Sequence, residues 1–398
     1  MSTVESSLRD LFTSCDEPIL LEKRVSHWEI VKSWTINVWC EKIGPTTRLP
    51  FRSGKIAHSE LPQWESTCTQ TEMTMNQFLG HAQTADPSEW LYFDYKHLHE
   101  WFKDKEDFLK DISWKDLGFP DRKADDSTLW IGSQGAHTPC HVDTYGFNLV
   151  AQIHGKKQWI LFPPGNESRK MLRATRVPYE ESSIYSEINF FSPPKRILIT
   201  LVNISRYNCF NFSGITLTGA RVVTLNPGDV LFVPNGWWHY VETISPLAVS
   251  LNTWIPLPCD RFRQVEESLV KLLVSSVCRF DNKELILNPN EADITEDKNI
   301  LNYVKWATHI CTASDFDEPP AKKCRSETSA CGDLPAGASR IAICSEDDFK
   351  ELMSLKRKVV VDSVAAESDI KLDFSKKLIN AMCAPDVLSK IRDHLLKD

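Results

Sequence analysis

His141 and Asp143 stand two residues apart in the stretch Gly135-Ala136-His137-Thr138-Pro139-Cys140-His141-Val142-Asp143. On an extended strand such a pair projects to one face, so an imidazole nitrogen and a carboxylate oxygen can bind one metal ion from the same side. His-x-Asp is common, and in isolation it is more often a solvated or hydrogen-bonded pair than a ligand set. A third donor stands far downstream, where His239 follows the Asn235-Gly236 turn and opens a strand-like run, Trp238-His239-Tyr240-Val241. Two histidines and one carboxylate leave three coordination positions open. That set suits non-haem Fe(II) handling a chelating co-substrate and O₂ better than it suits a closed structural zinc site.

The surrounding residues carry a wider pattern. Ser127-Thr128-Leu129-Trp130-Ile131-Gly132-Ser133, the Gly135–His141 stretch, Val177-Pro178-Tyr179-Glu180-Glu181-Ser182-Ser183 and Trp237-Trp238-His239-Tyr240-Val241-Glu242 together resemble the JmjC branch of the cupin oxygenases. The resemblance implies a mainly β core with flanking helices, a double-stranded β-helix of the jelly-roll (cupin, JmjC) type. It implies Fe(II) bound by His141, Asp143 and His239, 2-oxoglutarate and O₂ as co-substrates, and no catalytic side chain beyond the metal ligands. The far carboxylate of 2-oxoglutarate needs a cation. Gly155-Lys156-Lys157-Gln158-Trp159 is similar to the family's Gly-x-Lys-x-Trp strand, which gives that role to Lys157. Strand alternation lets only one of Lys156 and Lys157 point inward. Thr138 matches a hydroxyl position on the same carboxylate, and Asn148 and Asn252 match polar positions near the co-substrate. The interval from Asp143 to Asn148 is one residue longer than in some relatives. Tyr92, in the aromatic run Trp90-Leu91-Tyr92-Phe93-Asp94-Tyr95, has two readings: core packing, or a reach into the co-substrate pocket like a tyrosine of some related oxygenases. The same segments are similar to a branch of the family that associates with a small heat-shock protein, so a partner of that kind is implied.

Composition narrows the function classes. The 398 residues and 42% hydrophobic content allow a sizeable core. The 46 basic and 54 acidic side chains are interspersed and sum to −8, so no global field favours nucleic acid or an anionic membrane. No apolar run is long enough to span a bilayer, and the first residues do not form a signal-peptide core. The 12 cysteines are scattered without Cys-x-x-Cys pairs, which fits a reduced cytoplasmic compartment, or a nuclear one, better than a disulfide framework. Cys140, beside His141, is expected to be open to oxidation by a leaky iron centre.

Residues 1–126 read as a helical and strand segment packing on the barrel, with helices over 5–12, 29–43 and 75–81. Residues 127–256 read as the β-helix core, with strands at 127–132, 148–154, 157–162, 222–225, 230–234, 240–244 and 248–254. Asn226-Pro227-Gly228-Asp229 reads as a hairpin turn, since proline presets one torsion and glycine accepts the positive one. Within the core, 195–219 has few charges and several β-branched residues where relatives have a short polar connection. It is either an insertion or a gene-model artefact. An amphipathic helix is expected at 260–279 and another helix at 299–310, within a C-terminal helical segment 257–311. A disordered linker is expected over 312–340, and a small helical tail over 341–398.

Two functions follow. One is an Fe(II)- and 2-oxoglutarate-dependent oxygenase, a hydroxylase acting on protein more readily than on RNA given the acidic balance. The other is a non-catalytic or weakly catalytic binding protein that associates with a small heat-shock protein and modulates the stress response, with the barrel as scaffold.

Overall fold

The computed structural model of the chain describes residues 3–56, 62–64, 68–84, 88–103, 105–172, 174–175, 183–187, 189, 191, 219–278, 300–313, 334–357 and 374–397. Most of the segment 195–219, together with 177–182, lies outside the described residues. The strands are β1 (Ile19–Leu21), β2 (Arg48–Lys55), β3 (Thr69–Thr74), β4 (Glu89–His97), β5 (Thr128–Ser133), β6 (His137–Val142), β7 (Phe147–His154), β8 (Lys157–Phe162), β9 (Ile184–Tyr185), β10 (Arg221–Leu225), β11 (Val230–Val233), β12 (Trp238–Thr243), β13 (Leu247–Ile255) and β14 (Ala338–Arg340). The longer helices are α1 (Thr3–Ser14), α2 (Ile36–Ile43), α3 (Met75–Ala82), α4 (Asn166–Met171), α5 (Asp260–Cys278), α6 (Ile300–Ala313), α7 (Glu346–Arg357), α8 (Phe374–Met382) and α9 (Pro385–Leu395).

Two antiparallel sheets face each other. The larger has nine strands in the order β14-β1-β11-β7-β13-β5-β4-β2-β3, and the smaller five in the order β10-β8-β12-β6-β9. This is the jelly-roll core that the family resemblance implies. Each sheet is covered on both faces. Between the sheets, Val150, Trp159, Leu161, Leu231, Val233 and Val241 pack together. Behind the large sheet, Leu149, Ala151, Val230 and Phe232 meet Phe12, Trp39 and Phe78 of the N-terminal helices. Behind the small sheet, Ile160, Phe162, Trp238 and Tyr240 meet Phe349 and Met353 of α7. Burial of both faces is why the strands read as continuous apolar runs and not as alternating ones.

Several expectations change in detail. The 29–43 helix is two pieces, Glu29–Lys32 and α2, because Thr35 takes an extended conformation and its hydroxyl caps Val38 N–H. The Asn226–Asp229 turn forms, with Gly228 at φ +92° and the Asp229 carboxylate accepting from Asn226 N–H at 2.8 Å. It is not a hairpin: β10 and β11 lie in different sheets, and the turn hands the chain across, with Gly228 N–H bonding Gln152 O of β7. The stretch read as a linker ends in β14, which adds to the edge of β1. The helical tail docks in two places. α7 lies on the small sheet, where Lys356 pairs with Glu242 of β12, whereas α8 and α9 pack with α5 and α6 around Val265, Val304, Ile379 and Leu388.

Candidate metal centre

β6 and β12 are neighbours in the small sheet, and His141 lies directly opposite His239 in their ladder. Their rings are 4.1 Å apart between centroids. Asp143 follows β6 by one residue, with one oxygen 3.6 Å from His141 Nε2 and the other 3.9 Å from His239 Nε2. The three donor atoms lie within 4.8 Å of one another, and no other such His/Cys/Asp/Glu group is found among the described residues.

A β-bulge aims the set. Val241 pairs with Thr138 while His239 pairs with His141, so two steps on β12 match three on β6. The extra residue falls in the Pro139-Cys140 segment, where proline has no N–H to give the ladder. The bulge brings Thr138 and His141, three apart, to the same cavity. It also turns Cys140 away, into the outer core with Ile160 and Phe162, and burial pushes its thiol pKa up. The expectation that Cys140 is open to oxidation is therefore corrected: a buried, protonated thiol on the opposite face is a poor target.

Backbone carbonyls fix both imidazoles. His141 Nδ1 lies 2.9 Å from Pro139 O, and His239 Nδ1 lies 3.0 Å from Trp237 O. Each carbonyl accepts from an Nδ1–H, which leaves the Nε2 lone pair for a metal. Burial, reinforced by the neighbouring His239, holds the His141 pKa well below the usual imidazole range, so the ring is neutral and able to ligate. The carboxylate is oriented by a chain of amides and indoles from the large sheet. Trp254 Nε1 donates to Asp143 Oδ2 at 3.0 Å, and Asn148 Nδ2 approaches the same oxygen at 3.4 Å. Asn252 Nδ2 donates to Asn148 Oδ1 at 2.9 Å, and Trp130 Nε1 donates to Asn252 Oδ1 at 2.7 Å.

Lys157 is 2% exposed at the start of β8, whereas Lys156 is exposed to solvent. Gly155, at φ +63° against Leu247 O, sets this register, because a Cβ there would fall 1.9 Å from that oxygen. The Lys157 ammonium donates to Ser250 Oγ at 2.8 Å and Tyr92 Oη at 3.2 Å, and lies 5.2 Å from the Tyr92 ring centroid. Burial lowers its pKa to about 7, against an upward pull from Asp94. Asp94 is itself paired with the buried Arg52 at 2.6 Å. Among the described residues no carboxylate forms a salt bridge with Lys157.

One cavity, about 410 Å³ of non-atom space including its mouth, gathers all eight sequence-derived positions: Tyr92, Thr138, His141, Asp143, Asn148, Lys157, His239 and Asn252. Tyr92 thus lines the cavity and is also a buried aromatic. Sequence reasoning missed Ser250, Trp254, Trp130 and Tyr95, which line it too. Ser250 and Trp254 carried a signal, since they stand two residues either side of Asn252 on β13 and share its face. Tyr95 carried none: it reaches the cavity through a register shift in β4, at φ +57°.

The fold defines a class, the cupins, and the donor set is one that could hold a metal ion between the two facing sheets. A cupin-like domain model matches residues 6–259, and the chain belongs to the cupin-like (JmjC) family. It is 39% identical over 301 residues to HSPB1-associated protein 1 of Homo sapiens, an alignment covering 72% of this chain and 58% of that protein. It is 38% identical over 290 residues to the HSPB1-associated protein 1 homolog of Danio rerio, covering 69% and 61%. It is 25% identical over 253 residues to lysine-specific demethylase 8 of Xenopus tropicalis, covering 62% and 49%. The chain therefore covers less than two thirds of the length of these relatives. No described helix is long and apolar enough to cross a membrane.

Proposed function

We propose that this chain is an Fe(II)- and 2-oxoglutarate-dependent oxygenase that hydroxylates protein. The observation that carries the proposal is the meeting, in one cavity, of an open two-histidine, one-carboxylate set with a buried lysine that has hydroxyl partners and, among the described residues, no carboxylate salt bridge. The donor chemistry fits Fe(II): two neutral imidazole nitrogens and one oriented carboxylate oxygen, with room for further ligands. An iron held there supplies chelation of the keto-acid end of 2-oxoglutarate and activation of O₂. The chain's own residues do the rest. Pro139 O and Trp237 O hold the imidazoles, while Trp254 and Asn148 hold the Asp143 carboxylate. Lys157, with Tyr92, Ser250 and Thr138, offers donors to the far carboxylate of 2-oxoglutarate, and burial makes each of these bonds stronger than it would be in water. A demethylase among the more distant relatives supports the oxidative class.

A second reading concerns a partner. The names of relatives at 38–39% identity support association with a small heat-shock protein, which is compatible with turnover. A cytoplasmic location is supported by the 12 cysteines, scattered along the sequence without a Cys-x-x-Cys pair. The test of the oxygenase reading is anaerobic binding of Fe(II) and 2-oxoglutarate followed by O₂-dependent release of succinate. Stoichiometric iron with no 2-oxoglutarate binding and no succinate would leave the partner reading in its place.

A further inference from the structure

Behind the wall of the lysine-containing cavity lies an ion pair that the chemistry above leaves unused. Tyr92 lines that cavity, whereas Arg52 and Asp94 do not. Arg52 stands opposite Tyr92 in the ladder of β2 and β4. Arg52 and Asp94 are 7% and 8% exposed. Both guanidinium bonds, from Nε at 2.9 Å and from Nη2 at 2.6 Å, end on Asp94 Oδ2. Nη2 also reaches His137 O at 3.3 Å, which ties Arg52 to β6. The Tyr92 ring joins the pair to Lys157: the guanidinium carbon of Arg52 lies 5.6 Å from its centroid and the Lys157 ammonium 5.2 Å. Asp94 acts on Lys157, favouring the charged form that burial disfavours, yet among the described residues it forms no salt bridge with it. Desolvation of two buried charges offsets most of their attraction, so stability alone is a weak reason for an ion pair at this depth.

We propose that Arg52 and Asp94 are positioning residues for Lys157: Asp94 keeps the ammonium charged from a distance, and Arg52 tethers the Asp94 carboxylate so that it does not close on the ammonium in place of an incoming anion. This division of labour accounts for a lysine that feels a carboxylate and yet, among the described residues, donates only to the hydroxyls of Ser250 and Tyr92. A salt bridge between Asp94 and Lys157 would occupy the donor that the far carboxylate of 2-oxoglutarate needs. Without the Asp94 charge, burial would act unopposed and the lysine would give up its proton more readily. That the anion is 2-oxoglutarate rests on the oxygenase reading; the hold of the pair on Lys157 does not. The other titratable groups lining the cavity with Lys157 are Tyr92, Tyr95, His141, Asp143 and His239, and substitutions at 52 and 94 leave all of them in place.

The experiment titrates the full-length, metal-free chain, ¹³C-labelled at lysine Cε, by NMR, with the Lys157 signal assigned by its loss in Lys157→Met. Arg52→Gln frees the Asp94 carboxylate and should raise the Lys157 midpoint by about one pH unit, whereas Asp94→Asn should lower it by about one. Arg52→Lys keeps a cation for Asp94 and should stay nearer the wild type than Arg52→Gln. Because Arg52 acts through Asp94, the double variant Arg52→Gln/Asp94→Asn should match Asp94→Asn, and it leaves no unpaired buried charge where a single variant fails to fold. A packing role alone would move both single variants the same way. On the Fe(II)-loaded chain without O₂, 2-oxoglutarate should bind Arg52→Gln about tenfold more weakly at pH 6, and the double variant should regain most of that loss. Midpoints that shift together or not at all, a double-variant midpoint at or above the wild type, or unchanged 2-oxoglutarate affinity in Arg52→Gln overturns the proposal. Opposite shifts in a wild-type chain that never binds 2-oxoglutarate would instead retire the oxygenase reading and keep the pair's hold on Lys157.

Discussion

Replacing Lys157 by Met removes one buried ammonium and keeps an apolar stem of similar length. Lys157 is 2% exposed, and among the described residues its ammonium has only hydroxyl groups, Ser250 Oγ at 2.8 Å and Tyr92 Oη at 3.2 Å, as hydrogen-bond partners. A carboxylate arriving there would form a charge-assisted bond that contributes about 1.5–3 kcal/mol. At about 1.4 kcal/mol per tenfold, 2-oxoglutarate affinity should fall about ten- to a hundred-fold in Lys157→Met, with Fe(II) affinity nearly unchanged. Proton linkage adds a signature. Burial lowers the free lysine to about 7, and an anion favours its charged form. Affinity should be full below pH 7 and fall towards tenfold per unit as pH rises above it, with proton uptake on binding. The ligand-free fold shows the opposite sign. The unfolded lysine holds its proton to about pH 10.4, so between pH 7 and that value the unfolded state binds more protons and stability rises with pH. At pH 7 Lys157→Met should therefore melt higher than the wild type while binding more weakly. Anaerobic calorimetry in buffers of different ionisation enthalpy measures both affinity and protons, and thermal denaturation measures the rest. Unchanged affinity in Lys157→Met, or a larger loss in Lys156→Met, refutes the assignment.

His141→Ala or His239→Ala should abolish stoichiometric Fe(II) binding at neutral pH, and equal iron content by metal analysis of wild type and variants would sink the donor set. Trp254→Phe removes the indole N–H that orients Asp143 and should weaken metal binding about ten- to a hundred-fold in equilibrium dialysis; an unchanged constant would mean that the carboxylate needs no such support. Gly155→Ala forces a left-handed alanine against Leu247 O and should cost about 1–3 kcal/mol or more in denaturant unfolding; wild-type stability would show that the turn before β8 does not set its register. If 195–219 is a gene-model artefact, mass spectrometry of the endogenous protein will yield no peptides from it, and peptides as abundant as their neighbours would establish it as part of the chain.

The His141-x-Asp143 pair was legible because strand alternation has period two, which also lets only one of Lys156 and Lys157 point inward; the resemblance to the Gly-x-Lys-x-Trp strand is what chose Lys157. The orientation of Thr138 was not, because period two places it opposite His141, and only the bulge at Pro139-Cys140 reunites them. The core strands were readable from apolar runs, but which sheet each joins was not. Asn226–Asp229 has every mark of a hairpin turn, yet its two strands pair elsewhere. The C-terminal helices showed their apolar faces in sequence. An apolar face does not name its partner, and so α7 on the small sheet and α8 and α9 on α5 could not be told apart.

The direct opposition of His141 and His239 across two hydrogen-bonded strands has a mechanical consequence. An ion bound there would staple together positions about a hundred residues apart along the chain, adding a link to a loop that the ladder already closes. Through Asp143, Trp254 and Asn148 the same staple reaches β13 and β7 of the facing sheet. Loading would therefore clamp inner strands of the two sheets to each other and slow the local openings by which amide protons of β6 and β12 exchange with solvent. Hydrogen exchange in those two strands would then report occupancy of the centre in a chain that never turns over.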